Sequence, residues 1–170
     1  MSQPVVTEQT VRRFDDINQI ELINLLARYQ LDVQITPPGE AIPGSFWGDE
    51  EAGLIGHQIF IRQDTPIHSA LHEACHFICM DNVRRKQLNT HAGQFQVEEN
   101  AVCYLQILLA NDLPSLGQQR MMSDMDAWGY SFRLGNTQSW FEQDAQEAQD
   151  WLLGHKVIDQ SNRPTYQLRS

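Results

Sequence analysis

The chain has 170 residues, 41% of them hydrophobic, which fits one globular domain with a sizeable core over residues 1–170. Its net charge of −10 repels phosphate backbones, so nucleic acid is not an expected partner. No segment approaches the roughly 18 consecutive apolar residues of a membrane span, and residues 1–10 lack a signal-peptide pattern. We therefore expect a soluble protein with no membrane partner, and composition carries no signal for its oligomeric state.

The cysteine content indicates a reducing compartment. The three cysteines, Cys75, Cys79 and Cys103, cannot all pair within one chain. Cys75 and Cys79 have the i,i+4 spacing of a helix, which differs from the framework of a secreted protein. We expect free thiols and a cytoplasmic location.

The first part of the chain is predicted as a helix followed by two strands. A near-3.6-residue apolar period predicts a helix that Asp15 or Asp16 caps and that ends near Tyr29. Alternating apolar and polar residues over 31–36 predict a half-buried strand. The β-branched and aromatic residues over 54–62 predict a second strand.

The rest of the chain is predicted to be helical. Thr65 is the expected cap of a helix over about 66–83, and a second helix spans about 94–110. Asn136 or Thr137 begins a further helix that stops at Gly154. These elements predict an α+β fold with an N-terminal helix, a short sheet, two consecutive helices and a C-terminal helical segment.

The strongest chemical signal is the run His72-Glu73-Ala74-Cys75-His76. On a helix, His72 and His76 lie on one face at i and i+4, close enough to bind one zinc ion. Glu73 projects toward a neighbouring face, where it is placed to take a proton from a zinc-bound water that attacks a carbonyl. The expected cofactor is therefore Zn²⁺, with Glu73 as the catalytic base.

A catalytic zinc needs a third protein ligand, and Glu98 and Glu99 are the candidates. Both lie at the start of the helix that follows the histidine motif, and a helical hairpin would return them to it. Helical phase places Glu98 with Ala101 and Leu105, which favours Glu98 slightly. A purely structural alternative is that both carboxylates stabilise a helix N-terminus.

The strand, the His72-to-His76 helix and the downstream glutamate helix resemble the gluzincin class of zinc metallopeptidases. Within that class the order of elements is similar to the ImmA/IrrE-type peptidases, which are cytoplasmic bacterial or phage enzymes. The resemblance covers about residues 16–110 and implies a zincin-like domain that hydrolyses a peptide or protein substrate. Residues 113–170 form an extension with no assigned counterpart in that family.

Four further residues are candidates for roles around the metal. By analogy with many gluzincins, Tyr130 and His91 are candidates for stabilising an oxyanion, although a structural role is the alternative for each. Asp124 or Asp126 is a candidate for orienting a ligating imidazole through a hydrogen bond.

Two non-catalytic hypotheses compete with this interpretation. The first is a closed structural or sensory zinc site on one helical stripe, which would leave no position for water. The second is a metal-free interaction protein with exposed tryptophans. The stripe consists of His68, His72, Cys75, His76 and Cys79, and the tryptophans are Trp47, Trp128 and Trp140.

Overall fold

A computed structural model describes residues 11–45, 49–87 and 96–169. Within these ranges the chain is an α+β protein with seven α-helices and one three-stranded sheet, which confirms the predicted class. The helices are α1 (Gln19–Ala27), α2 (Ile67–Cys79), α3 (Asn82–Gln87), α4 (Gln96–Ala110), α5 (Gln118–Trp128), α6 (Thr137–Gln143) and α7 (Gln146–Gly154). The strands are β1 (Asp32–Ile35), β2 (Gly53–Ile55) and β3 (Gln58–Ile61).

The sheet has the order β1-β3-β2, with β3 parallel to β1 and antiparallel to β2. The predicted single strand over 54–62 is wrong, because residues 53–61 form a hairpin. Gly56 begins its two-residue turn with a φ of 59°, a backbone conformation that glycine adopts without steric cost. The buried side chains of Leu54 and Ile59 face each other across the hairpin and contribute to the core.

The predicted cap residues of two helices are wrong, because Asn18 caps α1 and the Arg12 backbone oxygen accepts the hydrogen bond of the first α2 amide, that of Ile67. At α1 the cap is Asn18, whose side chain accepts a hydrogen bond from the Ile20 amide, instead of Asp15 or Asp16. At α2, Thr65 does not cap the helix, because its hydroxyl accepts a hydrogen bond from the Arg62 amide at 2.8 Å.

The predicted helix over 66–83 is two helices. Met80 ends α2 in an extended conformation, and α3 begins two residues later. The side chain of Arg85 on α3 is buried and donates hydrogen bonds to the carbonyl oxygens of Phe77, Ile78 and Met80. A buried cation therefore caps the negative end of α2.

Helix α4 is the central element of the fold, packed between α2 and α7. Every residue from Ala101 to Ala110 is buried, so this helix has no solvent-facing side over its last ten residues. The predicted helix over 137–154 begins at the expected Asn136 cap but divides into α6 and α7 near Asp144. The α2–α4 pair carries the candidate site.

Candidate metal centre

Helix α2 is exposed to solvent at one place. Of its 13 residues, only His72 and Glu73 are not buried, and they lie at its centre. The rest of the helix packs into the core, which fixes the direction of both side chains. Two of the three motif residues, His72 and Glu73, are therefore the ones that α2 partly exposes, whereas His76 is buried.

His72, His76 and Glu99 form a compact group, the His–Glu cluster. Nε2 of His72 lies 2.8 Å from one carboxylate oxygen of Glu99, and Nε2 of His76 lies 3.0 Å from the other. The three donor atoms lie within 4.8 Å of one another. Within residues 11–45, 49–87 and 96–169, this is the one group of three or more His, Cys, Asp or Glu residues gathered so closely.

The structure does not bring Glu98, the slightly preferred third ligand, to the two histidines. Glu98 points away from the histidines, and its buried carboxylate accepts two hydrogen bonds from Arg84, at 2.7 and 2.9 Å. Helical phase failed to choose correctly because α4 is buried on all sides beyond Asn100. Apolar neighbours therefore do not mark the face that meets α2.

The donor set of the His–Glu cluster fits a zinc ion. Two imidazole nitrogens and one carboxylate are a common protein ligand set of catalytic zinc, which keeps an open fourth position. Ligands of a tetrahedral zinc at bonds of about 2.1 Å lie about 3.4 Å apart, so the 2.8 and 3.0 Å separations need only a small expansion. The cleft beside the cluster leaves room for the fourth ligand.

The charges of the site shift the pKa of each central group. Burial alone would raise the pKa of Glu99, but hydrogen bonds from His72 and His76 outweigh it and hold that pKa well below its ordinary range. Burial opposes the charge on His72, yet its other neighbours, Tyr130 and Glu99 among them, raise its pKa above the ordinary value. Burial raises the pKa of Glu73, in part offset by the two imidazoles, which is the direction that suits a general base near neutral pH.

Gln106 on α4 holds His72 from the side opposite to Glu99. Its side-chain oxygen lies 2.9 Å from Nδ1 of His72, and its side chain is fully buried. Sequence reasoning missed this residue, although a signal was present. Gln106 is a lone amide within the apolar run from Ala101 to Ala110, and it lies two helical turns after Glu99, on the same face of α4.

The cluster opens into a cleft with a volume of about 250 Å³. Glu51, which sequence reasoning also missed, lies on its wall and accepts hydrogen bonds from the Ser69 hydroxyl at 2.7 Å and the Trp128 indole at 3.0 Å. Ser69 in turn accepts a hydrogen bond from the Ala52 amide at 3.0 Å. These hydrogen bonds connect the residues just before β2 with α2 and α5 around the cleft.

Tyr130 lies in the cleft, as a role beside the metal requires. Its ring packs edge-to-face on His72 with centroids 5.5 Å apart, and its hydroxyl lies 3.2 Å from Nδ1 of His68. His68 is buried, and burial is the main cause that lowers its pKa to about 3, so its imidazole is neutral. His91, the other oxyanion candidate, lies outside the described residues.

Among the described residues, the hydrogen bonds of Asp124 and Asp126 go to groups other than an imidazole. The buried Asp124 accepts hydrogen bonds from the Arg12 amide and the Arg120 guanidinium, both at 2.7 Å, and so ties α5 to the N-terminal segment. Asp126 accepts hydrogen bonds from the amide and hydroxyl of Thr137 and anchors the start of α6. Both are structural because their oxygens are directed at these donors.

The stripe of five potential ligands along α2 does not converge on one point. Cys75 and Cys79 are fully buried, and burial raises the pKa of both thiols, which opposes the thiolate form that binds metal. Of the tryptophans, Trp140 stacks on Phe132 inside the core and Trp128 is hydrogen-bonded in the cleft. Trp47 lies outside the described residues.

No protein-family model, no curated protein and no solved structure matches this chain. Among the described helices, none has the length and apolar character that crossing a membrane requires.

Proposed function

We propose that this chain is a zinc-dependent metallohydrolase, and specifically a peptidase of the gluzincin class resembling the ImmA/IrrE-type enzymes. The observation that carries the proposal is the convergence of His72, His76 and Glu99 donor atoms within 4.8 Å. It is supported by Glu73, which shares the one exposed point of α2 with His72. The zincin-like fold, the peptide substrate and the cytoplasmic location belong to the same proposal.

In this proposal His72, His76 and Glu99 hold the ion. Zinc at this position supplies a Lewis acid, which polarises a carbonyl oxygen and lowers the pKa of water. Glu73 accepts a proton from the water that attacks the carbonyl carbon and then delivers it to the departing amine. The raised pKa of Glu73 assists the first transfer, because a carboxylate with a higher pKa is a stronger base.

Tyr130 supplies the second polar contact to the reacting group. Tyr130 lines the cleft with its ring packed on His72, and burial raises the pKa of its hydroxyl, so it remains a proton donor at neutral pH. A phenol in this place stabilises negative charge that develops on the carbonyl oxygen. The hydrogen-bonded Glu51, Ser69 and Trp128 also line the cleft and limit the path of the substrate.

Extended peptides often bind by adding a strand to the edge of a sheet. Strand β3 is paired on both sides, so an extended peptide has no free edge there. Strand β2 is an outer strand, but residues 43–45 lie directly against Gly53, where an added Cβ would come within 2.0 Å of the Pro43 oxygen. We therefore place the peptide in the cleft between Glu51 and Tyr130.

The proposal is tested with zinc-loaded protein, a library of internally quenched peptides and the Glu73→Gln variant. Glu73→Gln is expected to keep its zinc content and lose at least about 100-fold in hydrolysis, because removal of a general base has that effect. Glu142→Gln, an exposed glutamate on α6, is the matched control and should retain full activity. Hydrolysis that survives in Glu73→Gln, or wild-type protein that binds no zinc, contradicts the proposal.

A further inference from the structure

We propose that Gln106 is the positioning residue of the metal centre. Its side chain keeps the proton of His72 on Nδ1, so that Nε2 is the nitrogen that binds the metal. This inference rests on the proposed function for the presence of zinc. Gln106 makes no contact with the reacting atoms in this proposal. It acts through His72, whose Nδ1 lies 2.9 Å from the Gln106 oxygen.

The orientation of the Gln106 amide follows from its other contacts. Its nitrogen lies 3.0 Å from the backbone oxygen of His68 and 3.5 Å from the sulfur of Met121. Both of these atoms accept hydrogen bonds and cannot donate them. A reversed amide would turn its oxygen toward the His68 carbonyl oxygen, which leaves two acceptors facing each other. The amide nitrogen therefore faces His68, and the oxygen faces His72.

The orientation of the amide then determines the state of His72. The Gln106 oxygen is only an acceptor, so the hydrogen bond at Nδ1 requires the imidazole to carry its proton there. Because Nδ1 is held as a donor to Gln106, the nitrogen that gives up its proton to bind a metal is Nε2, which lies 2.8 Å from the Glu99 carboxylate. A hydrogen bond at the far nitrogen of a metal-binding histidine fixes both its tautomer and its ring direction.

Gln106 also connects the metal centre to the packing of three helices. One fully buried side chain on α4 contacts His68 and His72 on α2 and Met121 on α5. His76 differs, because its buried Nδ1 has no hydrogen-bond partner in the described part of the chain. The two histidines of the motif are thus held unequally among the described residues, where Gln106 orients His72 and no side chain does the same for Nδ1 of His76.

The test measures zinc affinity by competition with a chromophoric chelator for wild type, Gln106→Met and Gln106→Glu. Methionine has a similar size but no acceptor oxygen, so Gln106→Met is expected to bind zinc about 10–100-fold more weakly. Glutamate keeps an acceptor, so Gln106→Glu should recover most of that loss. Gln149→Met is the matched control, since it removes a 2.8 Å hydrogen bond to Tyr104 away from the His–Glu cluster and should leave zinc affinity unchanged.

A second measurement is independent of the variants. Nitrogen-15 NMR of zinc-loaded wild type should show the metal on Nε2 of His72 and a slowly exchanging proton on Nδ1. Zinc on Nδ1, unchanged affinity in folded Gln106→Met, or a Gln106→Glu variant as weak as Gln106→Met overturns this inference alone. Wild-type protein that binds no zinc overturns both this inference and the proposed function. Zinc binding without hydrolysis contradicts only the peptidase proposal.

Discussion

Two adjacent glutamates at the start of α4 belong to regions of opposite character. Glu99 joins the His–Glu cluster beside the open cleft, and its side chain is 36% exposed. Glu98 joins a buried Arg–Glu cluster, which comprises Arg84, Glu98 and Arg169, and its side chain is 4% exposed. The Arg84 guanidinium binds both oxygens of Glu98, and Arg169 lies 3.9 Å away.

Glu98 and Glu99 differ in the side chains that surround their carboxylates. Arginine is charged at every accessible pH, so the negative charge of Glu98 is permanently compensated and its oxygens are not free to bind a metal ion. Imidazoles lose their protons near neutral pH and then become metal ligands. The same type of side chain is therefore structural at one position and available for a metal at the next, because about 100° of helical rotation changes its neighbours.

Substitution of Glu99 tests the His–Glu cluster and has the largest expected effect. Glu99→Gln removes one of three proposed ligands, and we expect zinc affinity to fall at least about 100-fold, equivalent to about 2.7 kcal/mol. Wild type should also gain about 2.7 kcal/mol of stability at zinc concentrations 100-fold above its dissociation constant. Chelator competition and thermal unfolding with and without zinc measure both effects. A Glu99→Gln variant that zinc stabilises as much as wild type would exclude Glu99 as a ligand.

Substitution of Glu98 tests the Arg–Glu cluster. Glu98→Gln keeps the shape of the side chain but leaves Arg84 without the charge of its buried carboxylate partner. We expect a loss of about 2 kcal/mol in the free energy of unfolding, since hydrogen bonds to charged groups contribute about that much. Zinc affinity should change less than twofold. Denaturant unfolding of metal-free protein measures the loss of stability. If Glu98→Gln loses zinc while Glu99→Gln keeps it, Glu98 is the ligand and Glu99 is not.

The sequence predicted the elements whose signals are local. The α+β class, the strand at β1, the end of α4 and the Asn136 cap followed from periodicity, alternation and capping chemistry. The spacing of His72 and His76 was sufficient to place both imidazoles on one face of a helix. Their close approach in the structure, with ring centroids 4.7 Å apart, follows from helix geometry alone.

What the sequence could not predict depends on contacts between distant segments. The choice between Glu98 and Glu99 was set by Arg84 and Arg169, which lie 14 residues before and 71 residues after Glu98 in the chain. Asp124 was assigned to the metal site because its contact with Arg12 spans 112 residues and leaves no local pattern. Glu51 was missed because a single polar residue in a loop becomes informative only once its partner is known, whereas the signal of Gln106, a lone amide in an apolar run, was overlooked.

Substitution of Cys79 has the smallest expected effect but discriminates best between the hypotheses, because this residue lies between the His–Glu cluster and the Arg–Glu cluster. It follows His76 by one helical turn, yet its backbone oxygen accepts a hydrogen bond from Arg169 at 3.2 Å, on the side of the Arg–Glu cluster. Cys79→Ala should reduce stability by about 1 kcal/mol, the scale of one buried group, and leave zinc affinity within twofold of wild type.

His76→Ala is the control that must lose zinc under any metal hypothesis. Because burial raises the pKa of the Cys79 thiol, a thiol reagent should also modify it only after unfolding. The opposite pattern, in which Cys79→Ala abolishes zinc binding and Glu99→Gln retains it, would identify a closed thiolate site on α2. In that case Glu73 would have no water to activate, and the catalytic proposal would be wrong.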